Sequence, residues 1–415
     1  MKTCSLSMLI MLTASGPLSA QTPAQKVSPP VAQAWIDVAT FSGMGMPMGM
    51  GGGANPMASI GSLFGGGGGA AQGNAFGNTQ SGSAGRFVDV TLLTRNNPSL
   101  TEAQQAVPAG FLSPALKLQA PPPGKPVPES DEEVVPQEME RPRGRILLYW
   151  GCGATVRAGQ PVVLDTASAT AADFARVFQS RRATQRGTHS AAGRPVWPSK
   201  ADSRMVPAGA SLVGEHAFSG SGVPEGFRFQ IPGPQDLMPA LALQQADNGG
   251  ATELRWSAAP TARAYFAAAM GGGAREEAIF WSSSELADTG FGLLDYQTNA
   301  AVDRWLRERV LLAPSVTSCT IPKGVFSGQG AMLRLIGYGN ELNLAHPPRP
   351  TDPKIDWKPQ WAVKVRVKTM AQAMLGMPDM GGMGNPGAAA SPAEAPAEEP
   401  KKPGALDVLR GILGR

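Results

Sequence analysis

Two stretches of the chain share one pattern, WIDVA at residues 35–39 and FVDVT at residues 87–91. Each lies in a longer run of aromatic and β-branched residues, a composition typical of β-strands. Residues 43–85, between them, are rich in Gly, Met, Ser and Asn and carry too little apolar surface to fold alone. The repeated pattern therefore predicts two neighbouring strands of one sheet, joined by a long disordered excursion.

Further strand signals continue along the chain. RILLYW at residues 145–150 predicts a largely buried strand, and apolar residues spaced three and four apart predict a helix over residues 170–182. After residue 237, short apolar segments alternate with turn signals, which is typical of a β-sandwich, and one helix at 299–312 interrupts them. The fold class is therefore predicted to be mainly β.

Changes in composition suggest how the chain is divided. A Pro-rich, acidic stretch predicts one linker, and a Met-, Pro- and Ala-rich stretch predicts another. The expected segments are a signal peptide at 1–20, a β region at 21–118, a linker at 119–143, a β-rich region with a helix at 144–236, a sandwich at 237–375, a disordered linker at 376–403 and a terminal helix at 404–415.

The segment LRWSAAP at residues 254–260, followed by YFA at 265–267, resembles the hairpin between strands B and C of a fibronectin type III or related Ig-like domain. The resemblance implies an Ig-like sandwich over about residues 237–370, in which Trp256 and Tyr265 pack between the sheets beside Leu254. The alternation of Leu254 and Trp256 with the charged Arg255 independently indicates a strand with one buried face.

The first twenty residues have the layout of a secretory signal peptide. Lys2 precedes an apolar stretch, and small residues lead to a cleavage site after Ala20. The apolar stretch is shorter than the ~20 residues that a membrane-spanning helix needs, and no later segment reaches that length. The sequence therefore predicts an exported protein of the periplasm or cell envelope, without a transmembrane segment after cleavage.

Two cysteines remain once Cys4 leaves with the signal peptide. In an oxidising compartment an even pair usually forms a disulfide, so Cys152 and Cys319 are predicted to be bonded. Both lie next to strand-like segments, and a bridge between them could join two sheets or two domains. The alternative is a pair of buried free thiols.

The formal net charge is +4 and the pI is about 9.0, but the basic residues form no long block. We therefore expect no nucleic-acid partner. The three histidines lie far apart without zinc-ligand spacing, and FSGSG at residues 218–222 lacks the first glycine of a nucleophile elbow. His216, next to Glu215, could form an acid–base pair, although an exposed polar residue is the simpler interpretation. No catalytic signature is present.

Methionines recur in two Gly-rich tracts. Thioether sulfur is a soft ligand that selects Cu(I), so the tracts are candidate copper-binding segments. The alternative is low-complexity sequence without a ligand. The candidate ligands are Met44, Met46, Met48, Met50, Met377, Met380 and Met383.

Two groups of apolar residues could form a binding surface. Trp281, Trp357 and Trp361 could be exposed for protein or sugar contact, although burial in the core is the alternative. A one-sided stripe on the terminal helix could dock a partner, and it consists of Leu406, Leu409 and Leu413.

The leading functional hypothesis is an exported, non-enzymatic binding or structural protein that contacts envelope proteins or glycans. One alternative is a periplasmic Cu(I)-binding protein that uses the Met-rich tracts. The other is a hydrolase whose active site assembles from distant residues.

Overall fold

A computed structural model of the chain describes residues 25–43, 74–80, 83–122, 144–182, 187–273, 277–326 and 330–376. The predicted signal peptide and terminal helix lie outside these ranges, as do both groups of candidate methionine ligands and Leu406, Leu409 and Leu413. The described residues belong to one folded unit.

The mainly β class is confirmed, since the described residues form seventeen strands and two α-helices. In chain order the strands are β1 Ala32–Gly43, β2 Gly85–Thr94, β3 Glu102–Ala106, β4 Ala115–Gln119, β5 Arg145–Trp150, β6 Val162–Asp165, β7 Val196–Trp197, β8 Gly214–Gly220, β9 Arg228–Ile231, β10 Gln244–Asn248, β11 Ala251–Arg255, β12 Ala264–Gly272, β13 Glu277–Ser282, β14 Ser318–Ile321, β15 Ala331–Tyr338, β16 Leu342–His346 and β17 Trp361–Leu375. The helices are α1 Ala171–Val177 and α2 Asn299–Arg307.

The two strands with the repeated pattern are neighbours, as predicted. Strands β1 and β2 pair antiparallel, and the register places Asp37 directly opposite Asp89. On its other side β1 pairs in parallel with β17 over twelve positions, from Ala32 opposite Trp361 to Gly43 opposite Gln372. The first and last strands of the described chain therefore lie side by side in the middle of the sheet.

The large sheet crosses the predicted domain boundaries. Its order is β6-β5-β13-β12-β15-β17-β1-β2-β7-β4-β3-β8-β9, and β16 pairs with the first part of β17. The separate regions expected at 21–118, 144–236 and 237–375 are therefore corrected to one shared sheet, because β5 pairs with β13 and β1 pairs with β17.

A second sheet, in the order β10-β11-β14, packs against the large one. Leu254 of β11 and Tyr265 of β12 are fully buried, and Trp256, which directly follows β11, is 5% exposed. The rings of Trp256 and Tyr265 meet edge to face at 5.6 Å. These residues therefore pack between two sheets, but the mixed large sheet does not show a specific fibronectin type III fold.

Cys152 and Cys319 are joined by a disulfide, with Cα atoms 5.1 Å apart. Cys152 follows β5 of the large sheet and Cys319 lies in β14 of the small sheet. Beside the bridge, the backbone N–H of Gly153 donates to the carbonyl of Thr320 at 2.9 Å. The bond therefore links the two sheets.

Both helices are shorter than predicted. Helix α1 begins after Thr170, which forms a capping box with Asp173, and ends at Val177 instead of residue 182. Helix α2 begins after Thr298 and ends at Arg307 instead of residue 312. Its early end has a local cause, since Arg309 adopts a left-handed conformation with φ of 58°.

Candidate functional site

Strands β1, β2 and β17 have one apolar face and one face with charged residues in its middle. Alternate residues of a strand point to opposite faces, so Asp37, Asp89 and Arg366, which are aligned across the three strands, share a face. Asp37 and Asp89 are each 1% exposed and Arg366 is 5% exposed. We call these three residues, with the buried Tyr296 and Lys368 and the partly exposed Asp295, the buried polar cluster.

Asp37 and Arg366 form a two-pronged ion pair. The Arg366 Nε donates to Asp37 Oδ1 at 2.6 Å, and its Nη2 donates to Oδ2 at 2.5 Å. Thr188 adds its backbone N–H at 3.0 Å and its hydroxyl at 2.7 Å, both to Oδ2. Burial lowers the pKa of Arg366, but the adjacent Asp37 outweighs this effect and holds that pKa above its ordinary value. Arg366 is therefore a guanidinium cation that faces both oxygens of Asp37.

Gly187 covers the ion pair. A Cβ atom at this position would lie 1.6 Å from Nη2 of Arg366 and 2.7 Å from Oδ2 of Asp37. Only glycine lets the backbone approach so closely. The segment that begins at Gly187 therefore forms a close-fitting cover.

Asp89 is held differently from Asp37. Oδ1 accepts from the backbone N–H of Gly77 at 3.1 Å, and Oδ2 accepts from the backbone N–H of Thr79 at 3.3 Å and from its hydroxyl. These donors are neutral. Burial raises the pKa of Asp89 to about 7, and the charge on Asp37 adds to this effect, while the bonds from Thr79 and Gly77 oppose it.

Tyr296 separates the ion pair from a buried lysine. Its ring lies 4.3 Å from Cζ of Arg366 and 4.3 Å from Nζ of Lys368, as in cation–π contacts. Burial raises the pKa of Tyr296 well above its ordinary value. Burial also lowers the pKa of Lys368, whose Nζ lies 3.6 Å from Asp295 Oδ1. Each buried cation of the cluster therefore lies near a carboxylate, Arg366 beside Asp37 and Lys368 beside Asp295.

Apart from Asp295, the cluster is enclosed by its surroundings. Residues 74–80 lie over Asp89, the segment from Gly187 lies over Asp37, and Tyr296 is buried between Arg366 and Lys368. This is a correction to the predicted excursion at 43–85, because Asn74, Asn78 and Thr79 near its end are buried against the sheet. Such packing is typical of a structural charge network more than of a substrate site.

A surface depression of about 600 Å³ lies elsewhere, on β3, β4 and the turn after β7. Asp202 in its wall accepts from Nε of Arg204 at 2.7 Å and from the backbone N–H of Lys117 at 3.2 Å. Burial raises the pKa of Asp202, but Arg204 and Lys117 together hold it below its ordinary value. No histidine lines the depression. Its charged lining residues are Lys117, Lys200, Asp202 and Arg204.

Two of the three tryptophans predicted as a binding surface are buried. Trp281 is 1% exposed and donates from Nε1 to the carbonyl of Gly151 at 3.1 Å. Trp361 is 7% exposed and stacks on Phe227 at 4.9 Å. Both lie in strands whose neighbours cover them, so the surface prediction is wrong for these two. Trp357 is partly exposed and donates from Nε1 to the Pro347 carbonyl at 3.0 Å.

His216 is also buried, contrary to the interpretation as an exposed residue. Its Nδ1 lies 3.0 Å from Nε2 of Gln105 and its Nε2 lies 2.7 Å from the carbonyl of Leu212. Burial lowers the pKa of His216, and the bond to Leu212 only partly opposes this. Its partners are an amide and a carbonyl, so no acid–base pair with Glu215 is formed.

The ends of the large sheet are its most open strands. Among the described strands, β6 pairs only with β5, and β9 pairs only with β8. Val162 and Val163 of β6 are 37% and 50% exposed. Exposed apolar residues on an end strand are unusual, because natural edges are generally protected by charge, proline or a covering segment.

No protein-family model, characterised protein or solved structure that was compared with the chain matches it. None of the described helices has the length and apolar character to cross a bilayer. In the described ranges, no three side chains of His, Cys, Asp or Glu gather as ligands for a metal ion.

The sequence interpretation missed Asp37 and Asp89 as site residues, although both stand in the repeated pattern that predicted the strands. The available signal was a carboxylate at the centre of each of two apolar strands, where burial of an unpaired charge would be costly. A carboxylate in such a position is expected to have an ion-pair or hydrogen-bond partner, but the sequence does not show which residue that is. Arg366 lies 329 residues from Asp37 and only the parallel pairing joins them.

Proposed function

We propose that the protein is an exported, non-enzymatic binding protein of the cell envelope, which recruits an extended segment of another envelope protein beside β6. A sheet edge favours a protein partner over a glycan, because free backbone N–H and C=O groups can extend the sheet by one strand. The closed packing of the buried polar cluster supports a structural role for its charges, in keeping with a binding protein.

The observation that carries the proposal is the exposure of β6. Val163 shares a face with its β5 partner Leu147, and Val162 shares the other face with Leu148. An added strand could cover both valines while it pairs with the backbone between them. Two exposed apolar side chains on opposite faces suit a partner with alternating apolar residues.

Site-specific photo-cross-linking in cells tests the proposal. A photoreactive residue replaces Val163 in one variant and Val213 in the control, since Val213 is 44% exposed but precedes β8 in a loop. We expect one protein to be captured at 163 and not at 213. A synthetic peptide of the captured segment should compete with that product.

A matched pair of substitutions gives a second measurement. Val163→Lys should reduce recovery of the captured protein at least tenfold, whereas Val213→Lys should leave recovery unchanged. Thermal unfolding would check that both variants stay folded. Equal capture at both positions, or recovery that Val163→Lys does not change, would refute the proposal.

A second candidate function, Cu(I) binding, has one observation in its favour. Strands β1 and β17 are parallel, and Gly43 at the end of β1 pairs with Gln372 near the end of β17. The tract that contains Met44 follows the first strand and the tract that contains Met377 follows the second. The two methionine tracts therefore start from neighbouring positions in the sheet.

Competition with a colorimetric Cu(I) chelator would test this candidate. Replacing Met44, Met46, Met48 and Met50 with Leu preserves apolar size and removes the sulfur ligands. If the tracts bind the metal, the quadruple variant should lose Cu(I) affinity at least tenfold. Met374→Leu, in β17, is the control for loss of a methionine outside the tracts. Equal affinity in the wild-type and quadruple-variant proteins would exclude the candidate.

A further inference from the structure

Asp37 and Asp89 occupy opposed positions on antiparallel strands, and each is 1% exposed. Opposed side chains in such a pair have Cβ atoms roughly 5 Å apart. Two carboxylates this close, and away from water, strongly disfavour carrying two negative charges. The geometry therefore favours one negative charge on the pair.

The surroundings determine which carboxylate carries that charge. Arg366 binds both oxygens of Asp37, whereas the donors to Asp89 from the described residues Gly77 and Thr79 are neutral. Residues 74–80, which cover Asp89, contain no charged residue. Among the described residues, the charged and titratable groups on the packed elements are Asp37 on β1, Lys364, Arg366 and Lys368 on β17, Glu341 paired with Lys364, Asp295 and Tyr296 before α2, and His189 and Arg194 before β7.

We propose that Asp89 is a proton-dependent latch for residues 74–80. With its proton, Asp89 lets the segment stay docked on the sheet. Release of the proton to solvent places a second negative charge beside Asp37, and the segment moves away so that water reaches the carboxylate. The latch therefore sets how the chain that follows the Met-rich stretch at 44–50 is attached to the sheet.

The direction of the pH effect follows from the two states of Asp89. Burial is the main cause that raises its pKa to about 7 in the docked state, whereas an exposed aspartate has a pKa of about 3.9. Between these values only the docked state binds the proton. The docking equilibrium constant should therefore fall by up to tenfold per pH unit from about pH 4 to 7, and level off above 7.

Hydrogen exchange of the Gly77 and Thr79 amides, expressed as protection factors from pH 4 to 9, tests the latch. In the wild-type protein we expect protection to fall towards pH 7 and then level off. Asp89→Asn cannot ionise, so its protection should not vary with pH. Asp236→Asn is the control, because Asp236 also accepts a backbone N–H, from Leu212 at 2.7 Å, and it should retain the wild-type profile.

A carbon-13 titration of the Asp89 carboxyl group in the wild-type protein keeps the test independent of whether Asp89→Asn folds. A midpoint between about 5 and 7, below the docked-state value and well above that of an exposed aspartate, would support the latch. A midpoint near 4 would overturn it, as would wild-type protection factors that do not change with pH or a pH profile that Asp89→Asn shares.

Discussion

Arg366 lies among a carboxylate, an aromatic ring and backbone, and its 5% exposure leaves water almost no access. Removing one partner of such a pair leaves the other charge buried without compensation, which costs more than the pair itself contributes. The pair therefore acts mainly as a constraint on which strands may lie side by side. It fits only the register in which β17 meets β1 at Asp37.

Single and double replacements should separate these contributions. We expect Arg366→Leu to lower the free energy of unfolding by about 3–5 kcal/mol, measured by urea denaturation. The double variant Asp37→Leu/Arg366→Met should recover much of that loss. Arg255→Ala is the control, because its ion pair with Glu253 leaves the Arg255 side chain 66% exposed, and we expect a change of about 1 kcal/mol or less. A double variant as unstable as Arg366→Leu would contradict this account.

Gly187 gives a second prediction at the scale of one residue. Gly187→Ala would place a methyl group against Nη2 of Arg366, which its ion pair holds in place, so we expect a loss of about 1–3 kcal/mol in thermal or urea unfolding. Gly209→Ala is the matched control, since nothing lies within 4 Å of its added Cβ. Equal stability of the two variants would show that the backbone around residue 187 can move to accommodate a methyl group, and would contradict the prediction.

At the scale of elements, the sequence predicted best where apolar residues and strand composition coincide. Strand β5 was predicted with its exact bounds, and β1 and β2 were predicted as partners. Strand β3 was missed because its sequence, EAQQA, contains no strongly apolar residue. One of its two buried positions is occupied by a polar residue, Gln105. Strand β17 runs on to Leu375, beyond the positions that pair with β1, because β15 pairs with it there. Pairing with neighbouring strands therefore determines strand formation and strand length where the local composition gives no signal.

The link between the two sheets is the element-scale feature that can be tested most directly. Cys152 and Cys319 are 167 positions apart, so their bond closes a long loop in the unfolded chain. We expect Cys152→Ala/Cys319→Ala to lose about 2–5 kcal/mol in urea unfolding. Reduction of the wild-type protein should bring it to the same stability. If a reducing agent also destabilises the double variant, then loss of the Cys152–Cys319 bond does not explain the effect of reduction on the wild-type protein.

At the scale of the whole molecule, the sheet order could not be derived from the sequence. The repeated pattern at 35–39 and 87–91 identified one pairing, but it carries no signal for the parallel pairing of β1 with β17. That pairing joins residues more than three hundred positions apart and removes the predicted domain boundary at 237. Changes in composition along the chain suggested separate domains, but strands from those predicted domains pair in one sheet. The candidate site was missed for the same reason.

Truncation tests how far the sheet depends on its last strand. A chain that ends at residue 360 lacks β17, which contacts β1, β15 and β16, so we expect it to lose cooperative unfolding. A chain that ends at Gly376 is the matched control and should unfold cooperatively. Circular dichroism during heating measures both. A cooperative transition in the shorter chain would show that the remaining strands fold without β17.

The parallel pairing of β1 and β17 also determines how the protein responds to mechanical load. A pull between residues 25 and 376 acts on opposite ends of the two strands, so it shears their backbone hydrogen bonds together. A pull between residues 25 and 97 acts on the same end of β1 and β2, where Ala32 faces Thr94, and opens their bonds one after another. In single-molecule pulling we expect the first geometry to need the larger force. Tension along the chain would therefore meet its greatest resistance where the first and last strands lie side by side.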